Sequence, residues 1–200
     1  VGCGDGRLYR NVRQLGFDGD YTGIEVAEHV IEENRRAHPE ASWFEGGAYN
    51  LHLASEEADI VMSLFVLEHL VYPVRGLKEM LRVVRPGGAL LLVFPDFTVS
   101  GRLASQKLGF STGTARKKIS KGRFFDAIVS LIDSRIRLPL ALQDVSNRYG
   151  PFPVNTRPLC LTEPSYMQPD VDAVYIASRS EVTDWAKSHG YEVAFPFGKT

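Results

Sequence analysis

A glycine-rich turn stands at the start of the sequence, where residues 2–6 are Gly-Cys-Gly-Asp-Gly. Glycines let the backbone turn tightly after a strand and approach a ligand closely, with the N-terminus of the next helix alongside. Glu25 follows about 20 residues later, where a carboxylate can accept hydrogen bonds from both hydroxyls of a ribose. The glycines alone are also typical of a tight strand-to-helix turn without a ligand. Together with Glu25 they predict a site for a nucleoside-bearing cofactor.

The spacing of these glycines separates two kinds of nucleotide site. In the dinucleotide fingerprint G-x-G-x-x-G the third glycine would fall at position 7, where this chain has Arg7. The sequence instead has the shorter form G-x-G-x-G. A nicotinamide-dependent oxidoreductase is therefore the less favoured alternative.

Two further side chains could move a proton. His69 is a candidate general base because histidine exchanges a proton near neutral pH. Asp96 follows a predicted strand at its carboxyl end, the edge at which open α/β sheets bind substrates. Each residue also has an alternative role that involves no proton transfer. His69 could pack in the structure or lie beside the cofactor, and Asp96 could cap a loop.

No metal or disulfide is predicted. Cys3 and Cys160, the only two cysteines, are far apart in the sequence and form no C-x-x-C pair. Glu68 and His69 alone would provide too few ligands for a stable metal site.

Composition narrows the class of protein. The chain has 200 residues, of which 44% are hydrophobic and 24% charged, with a net charge of −1. These values are typical of a globular domain and argue against a dedicated nucleic-acid-binding protein, which would show a basic excess. No apolar run is long enough for a membrane span, and residues 1–6 do not resemble a signal peptide. A reducing, cytoplasmic location is the expectation.

The elements that must position these residues alternate between strand and helix. Helical spacing of apolar residues predicts helices, and short apolar runs predict strands, four of which precede position 96. This order indicates a parallel α/β sheet. Helices are predicted over 6–15 and 26–37, and a third has Leu77, Leu81 and Val84 on its inner face. Strands are predicted over 21–25, 42–45, 59–64 and 89–94.

Residues 97–171 break this pattern and are interpreted as an insertion within a single domain over residues 1–200. A helix over 124–138 is predicted there, and Asn147, Arg148 and Tyr149 are candidates to line an acceptor pocket. After the insertion, Ser178 and Glu181 match a helix capping box, and residues 191–195 have the pattern of a strand.

The insertion also carries an uneven charge. Between positions 101 and 123 there are seven basic residues and no acidic one. One hypothesis is an anionic acceptor or carrier, and the alternative is a solvated basic surface.

Four motifs occur in a familiar order: the glycine turn 2–6, Glu25, the strand 59–61 leading to Leu-Glu-His at 67–69, and Arg-Val-Val-Arg-Pro-Gly-Gly at 82–88. In this order they resemble class I S-adenosylmethionine-dependent methyltransferases, and more narrowly the large subgroup that acts on small molecules. The resemblance covers residues 1 to 96 and again 172 to 196. It implies a Rossmann-like methyltransferase fold, with a doubly wound, mostly parallel sheet, a truncated first strand and an insertion after the fifth strand.

The resemblance also implies roles for individual residues. Glycines of the turn would contact the methionine part of S-adenosylmethionine, Glu25 the ribose and Val26 the adenine. Leu64 and Phe65 would lie beside the sulfonium methyl group. The full set of implied cofactor-binding residues is Gly2, Cys3, Gly4, Gly6, Glu25, Val26, Gly47, Ala48, Leu64 and Phe65.

Two positions depart from the family pattern. Gly47 stands where the family often has an acidic residue for the adenine amino group, so this contact would come from the backbone or from Glu45. Some quinone O-methyltransferases of this class hold a metal on E-x-x-E-H, whose first position is Phe65 here. Because little precedes the glycine turn and little follows position 195, the chain is expected to lack part of the first strand and the last strand.

The expected activity is methyl transfer to an oxygen or nitrogen of a small-molecule or glycan-type acceptor. A catalytically inactive cofactor-binding module that serves as a partner or regulator is an alternative from a different class of function.

Overall fold

The computed structural model describes residues 1–100, 115–132, 150–155 and 172–196, with 135–136, 140, 143–144 and 147–148. These residues fall into two units, the first formed by Val1–Leu67 and Tyr72–Phe94 and the second by Glu68–Val71 and Pro95–Thr200. Within the described part of the chain, no helix is long and apolar enough to cross a membrane.

Strands and helices alternate along the first unit. Its helices are α1 (Arg7–Gln14), α2 (Glu28–Ala37) and α3 (Pro73–Val83), and its strands are β1 (Thr22–Glu25), β2 (Ser42–Glu45), β3 (Ala58–Leu64) and β4 (Val84–Val93). β1 pairs with β2 and β3 with β4, in both cases in parallel. The predicted α/β class with parallel strands is confirmed.

Residues 1–3 lie between the two strand pairs. The nitrogen of Val1 donates a hydrogen bond to Met62 O in β3 at 2.8 Å, and the Gly2 N–H donates to Ile24 O in β1, also at 2.8 Å. Both acceptors are close to the carboxyl ends of their strands. The glycine turn therefore leaves the sheet between the carboxyl ends of β1 and β3.

An aromatic cluster fixes α1 and α2 against β2. Tyr9, Ile31 and Trp43 are buried together, and the rings of Tyr9 and Trp43 meet edge to face at 5.6 Å. The Tyr9 hydroxyl donates to Glu40 and the Trp43 indole N–H to His38 O, so the polar tips of these large side chains are satisfied.

Helix α3 differs from the prediction in its inner face. Leu77 is buried as expected, but Met80 and Val83 share its face in place of Leu81 and Val84. The helix ends at Val83 because Val84 is already extended, with φ −73° and ψ 127°. A Cβ on Gly88 would lie 2.6 Å from Asp59 O, so glycine is required where β4 passes close to β3.

The second unit has its own buried segment. Ala173, Tyr175, Ile176 and Ala177 are almost inaccessible to solvent. Their backbone pairs with residues 153–155 and with the carbonyl of Glu68, which accepts from both Val174 and Tyr175. In the part of this unit that the structure describes, the helices with both ends placed are α4 (Phe97–Ser100), α5 (Ala115–Ile119), α6 (Phe124–Ile132) and α7 (Arg179–Ser188).

Of the two hydrogen bonds in the capping box predicted at the start of α7, the structure shows one. Ser178 Oγ accepts from the Glu181 N–H, as in a capping box. The Glu181 carboxylate does not return to the cap and instead accepts from Tyr175 Oη and the Phe152 N–H, both at 2.7 Å. Burial and the neighbouring Glu181 carboxylate raise the pKa of the Tyr175 phenol, so this hydroxyl remains a donor.

Other predictions for the region after position 96 have mixed outcomes. The helix predicted over 124–138 is observed at Phe124–Ile132, whereas the strand predicted over 191–195 is wrong, since these residues pair with no strand. Arg148 is exposed and forms an ion pair with Asp144 at 2.7 Å, while Tyr149 lies outside the described residues.

Candidate functional site

The carboxyl ends of the strands gather the predicted cofactor residues. Glu25 ends β1 opposite Glu45 in β2, and Leu64 ends β3 opposite Val93 in β4. With the glycine turn emerging between β1 and β3, the candidate residues of the first unit lie along one edge. This is the edge at which open parallel sheets bind ligands.

The three glycines of the turn are all left-handed, with φ of 67° at Gly2, 48° at Gly4 and 71° at Gly6. A Cβ on Gly2 would lie 2.2 Å from Val66 Cγ2, and one on Gly6 would lie 2.9 Å from Asn34 Oδ1. A Cβ on Gly4 would meet no atom within 4 Å. Protein packing therefore requires glycine at both ends of the turn, while the centre presents bare backbone to open space.

The Glu25 carboxylate joins the turn to the end of β1. Its Oε2 accepts a hydrogen bond from the Gly4 N–H at 3.1 Å, and its Oε1 accepts from the Val26 N–H at 2.9 Å. Oε1 also accepts from the Ala27 N–H at 3.4 Å. An ionised carboxylate has about four lone-pair sites, so one remains for a further donor such as a ribose hydroxyl.

A small apolar surface lies next to Glu25. Val26 is 69% exposed, whereas Ala48 is buried. A Cβ on Gly47 would lie 3.9 Å from Val26 Cγ1, which places the two residues side by side. Val26 and the Gly47 backbone are thus available to a flat apolar group such as adenine.

Phe65 has a strained backbone at the end of β3. Its φ is 55°, a region that aromatic residues rarely occupy, and its N–H donates to Val93 O at 2.7 Å. Its ring is 58% exposed. Strain of this kind is concentrated at functional sites, so the exposed ring beside half-buried Leu64 is a candidate surface for a reactive group.

Cys3 is placed differently from the glycines around it. Its side chain packs against the buried Tyr9, Ile31 and Trp43 cluster. Burial raises the pKa of its thiol to about 11, so the thiol is neutral at physiological pH. Only the backbone of Cys3 is therefore available to a ligand at the turn, because its sulfur packs against the hydrophobic core.

Two candidate bases belong to the second unit. His69 is half-buried, and its Nδ1 lies 3.4 Å from Oδ1 of Asp172, which is 62% exposed. Carboxylates beside an imidazole nitrogen orient the ring and favour one tautomer. The structure thereby pairs His69 with a residue that the sequence reasoning did not select.

Asp96 is engaged in local structure. Its Oδ1 accepts from the N–H and the hydroxyl of Thr98, at 3.1 and 2.6 Å, and its Oδ2 accepts from the Arg179 N–H at 3.3 Å. These bonds satisfy donors at the starts of α4 and α7. The geometry favours the loop-capping role over proton transfer for Asp96.

Asn34 is a further residue that the sequence did not indicate. It is buried on α2, and its Nδ2 donates to Gly4 O at 2.8 Å. The side chain of Asn34 thus holds the turn from one side while Glu25 holds it from the other. A polar residue on a helix normally indicates a solvated face, so only its three-dimensional neighbours reveal this role.

Metal ligands are not clustered in the described ranges. No group of three or more His, Cys, Asp or Glu side chains there could hold a metal ion.

Comparison with known proteins agrees with this geometry. Residues 1–92 match the family model described as a methyltransferase domain. A demethylmenaquinone methyltransferase from Beutenbergia cavernae is 35% identical over 79 residues, which cover 39% of this chain and 33% of the relative. A mitochondrial ubiquinone biosynthesis O-methyltransferase from Candida albicans is 28% identical over 180 residues, 83% of this chain and 51% of the relative.

A solved structure shares the fold over nearly the whole chain. It is an S-adenosylmethionine-dependent methyltransferase from Thermotoga maritima, described as a possible histamine N-methyltransferase. It aligns with 96% of this chain and 62% of its own, with a TM-score of 0.51 and 17% identity.

Residues 1–92, just under half of the chain, are thus similar to methyltransferase domains. The chain spans between 29% and 51% of the length of four curated relatives that it matches. The nicotinamide alternative finds no support in these matches.

Proposed function

We propose that the glycine turn and the carboxyl ends of β1, β2 and β3 bind S-adenosylmethionine. The turn (Gly2, Cys3, Gly4 and Gly6) contacts the methionine part through its backbone. Glu25 accepts a ribose hydroxyl, Val26 with Gly47 and Ala48 receives the adenine, and Leu64 with Phe65 flanks the sulfonium. The observation that carries this proposal is the Glu25 carboxylate 3.1 Å from the nitrogen of Gly4, a glycine whose outer side is open.

The reaction that we propose is methyl transfer to a small-molecule or glycan-type acceptor. An acceptor oxygen or nitrogen attacks the methyl carbon with its lone pair, the carbon–sulfur bond breaks, and S-adenosylhomocysteine leaves with the electron pair. Such a displacement depends mainly on holding nucleophile, carbon and sulfur in line. Few catalytic side chains are required.

His69 is the proposed acceptor of the proton of a hydroxyl acceptor, with its ring oriented by Asp172. The 3.4 Å contact between His69 Nδ1 and Asp172 Oδ1 supports this role, because a carboxylate beside one imidazole nitrogen orients the ring. The other nitrogen, Nε2, lies 4.0 Å from Oε1 of the buried Glu68. Asp96 is the weaker candidate, since three backbone and side-chain donors already occupy its carboxylate.

We propose that the insertion at 97–171 binds the methyl acceptor. In this proposal the insertion is part of a single domain over residues 1–200. The excess of basic residues at 101–123 supports an anionic acceptor, although Lys118 is buried and does not contribute to a solvated basic surface. The name of the Candida albicans relative supports oxygen as the methylated atom.

Calorimetric titration with S-adenosylhomocysteine and with NAD tests the cofactor proposal. We expect S-adenosylhomocysteine to bind and NAD not to bind. Transfer of a labelled methyl group to a panel of phenolic, phosphorylated and glycosylated acceptors then tests the reaction. Cofactor binding without transfer to any acceptor, at protein concentrations in excess of acceptor, would favour the inactive binding module instead.

A further inference from the structure

The strongest feature not used by the proposed function is the outer surface of helix α6. Six of its nine residues are apolar and exposed, and Phe125 is the most exposed of them, at 86%. The six are Phe124, Phe125, Ile128, Val129, Leu131 and Ile132. Exposed large apolar residues in such a continuous group mark a site of interaction.

These six side chains form one face. At 100° per residue they occupy a continuous arc of about 160° around the helix axis. The opposite side holds Ala127, which is buried, and Asp126, which forms an ion pair with Arg123. The helix therefore packs into its own unit through a small residue and leaves its apolar face outward.

Positive charge lies directly before this face. Residues 115–123 contain five basic residues and no acidic one, and Arg116 and Lys121 among them are exposed. Over residues 101–148 there are ten basic residues and three acidic ones. The occupant of the face must therefore offer both an apolar layer and negative charge.

We propose that α6 binds the surface of an anionic lipid bilayer. The apolar face enters the boundary of the acyl chains, and the exposed Arg116 of α5 and Lys121 of the turn after it contact the headgroups. A helix of nine residues is about 13 Å long, against a hydrocarbon core of about 30 Å, so it lies in the plane of the interface.

The same observations disfavour the other occupants. A second copy of the chain would bring the exposed Arg116 and Lys121 of each copy together at the contact, and like charges at an interface are repulsive. A partner helix in a coiled coil would need a narrow seam of two positions per heptad, which an arc of about 160° exceeds. A lipid surface fits both the width of the face and its charge.

Sedimentation of the full protein with vesicles tests this proposal. We expect binding to vesicles that contain phosphatidylglycerol, little binding to pure phosphatidylcholine, and weaker binding at high salt. Phe125→Asp should abolish binding. Lys121→Glu should weaken it at least about fivefold, since each basic residue near an anionic surface contributes about 1 kcal/mol.

Leu15→Asp is the matched control. Leu15 is as exposed as Phe125, at 86%, and directly follows helix α1 in the first unit. This variant should bind vesicles as the unchanged protein does, and circular dichroism should show that all three variants are folded. Cofactor binding in the absence of vesicles should be the same in every variant, which keeps this test separate from that of the proposed function.

Three results would overturn the proposal. The first is no sedimentation with phosphatidylglycerol vesicles. The second is an equal loss of binding in Leu15→Asp. The third is a dimer in light scattering that Phe125→Asp converts to a monomer without any effect on vesicles, which would assign the face to a second copy.

Discussion

Oε2 of Glu25 lies 3.1 Å from the nitrogen of Gly4, although 21 positions separate the two residues in the sequence. This hydrogen bond places the carboxylate against the backbone of the turn before any ligand is present. Because one lone-pair site of the carboxylate is still available, a ribose hydroxyl can bind without breaking this hydrogen bond. The bond explains how a turn with three left-handed glycines is held in one conformation.

Substitution of the glycines should separate folding from binding. Gly2→Ala places a Cβ 2.2 Å from Val66 Cγ2. Crowding and left-handed strain together should lower the free energy of unfolding by about 2–5 kcal/mol. Gly4→Ala meets no neighbour and should cost only about 1–2 kcal/mol. Its methyl group nevertheless occupies the space where the cofactor must approach the backbone.

Urea unfolding and titration with S-adenosylhomocysteine measure the two effects. Gly4→Ala is expected to fold cooperatively and to bind the ligand weakly. Wild-type affinity in Gly4→Ala would show that the open side of the turn is not the binding surface.

The contact between His69 and Asp172 predicts a defined kinetic pattern. Asp172→Asn keeps the shape of the side chain but removes its charge, and should lower kcat about tenfold with little change in KM, because a charged hydrogen-bond partner is replaced by a neutral one. His69→Asn should lower kcat about 100-fold or more. If Asp172 acts through His69, the double variant should be no slower than His69→Asn alone.

Asp184→Asn is the control for charge in the same unit, since Asp184 is exposed on α7. The rates are measured with the acceptor that the panel identifies. Additive losses in the double variant would show that Asp172 does not position His69.

The buried thiol of Cys3 predicts a dependence on alkaline pH. Burial raises the pKa of this thiol from 9.0 to about 11. The folded protein therefore favours the neutral thiol, and this contribution to stability is complete below pH 9 and is lost as pH rises through 11. A Cys160→Ser variant leaves Cys3 as the one cysteine.

Alkylation of that variant by iodoacetamide reports the thiolate. The rate in the folded protein should rise with a midpoint near pH 11, and in urea with a midpoint near pH 9. If the alkylation rate of the folded protein instead rises with the same pH midpoint as that of the unfolded chain, this result would contradict the burial of the Cys3 side chain.

Local patterns in the sequence predict most of the first unit. The apolar run at 59–64 is observed as β3 over Ala58–Leu64, and the helix predicted over 6–15 as α1 over Arg7–Gln14. These elements follow from hydrophobic periodicity, which depends on neighbours a few positions away. The glycine turn and Glu25 could likewise be selected because their spacing reflects a single strand–helix–strand unit.

Residues that act through distant contacts could not be predicted in this way. Asn34 reaches Gly4 across 30 positions, and Asp172 lies near His69 from another segment of the chain. Glu181 has the sequence signal of a capping box, yet its carboxylate binds Tyr175 and Phe152. In each case the role of a polar side chain depends on partners that are distant in the sequence and become neighbours only in the folded protein.

The most direct test of the cofactor site is the affinity for S-adenosylhomocysteine in Glu25→Gln, measured by calorimetry beside Glu28→Gln. Glu28 begins α2 only three positions from Glu25 and is exposed. Loss of the charged acceptor should raise the dissociation constant about 10- to 100-fold in Glu25→Gln, and Glu28→Gln should bind as the unchanged protein does. Equal affinity in all three proteins would contradict the assignment of this edge of the sheet as the cofactor site.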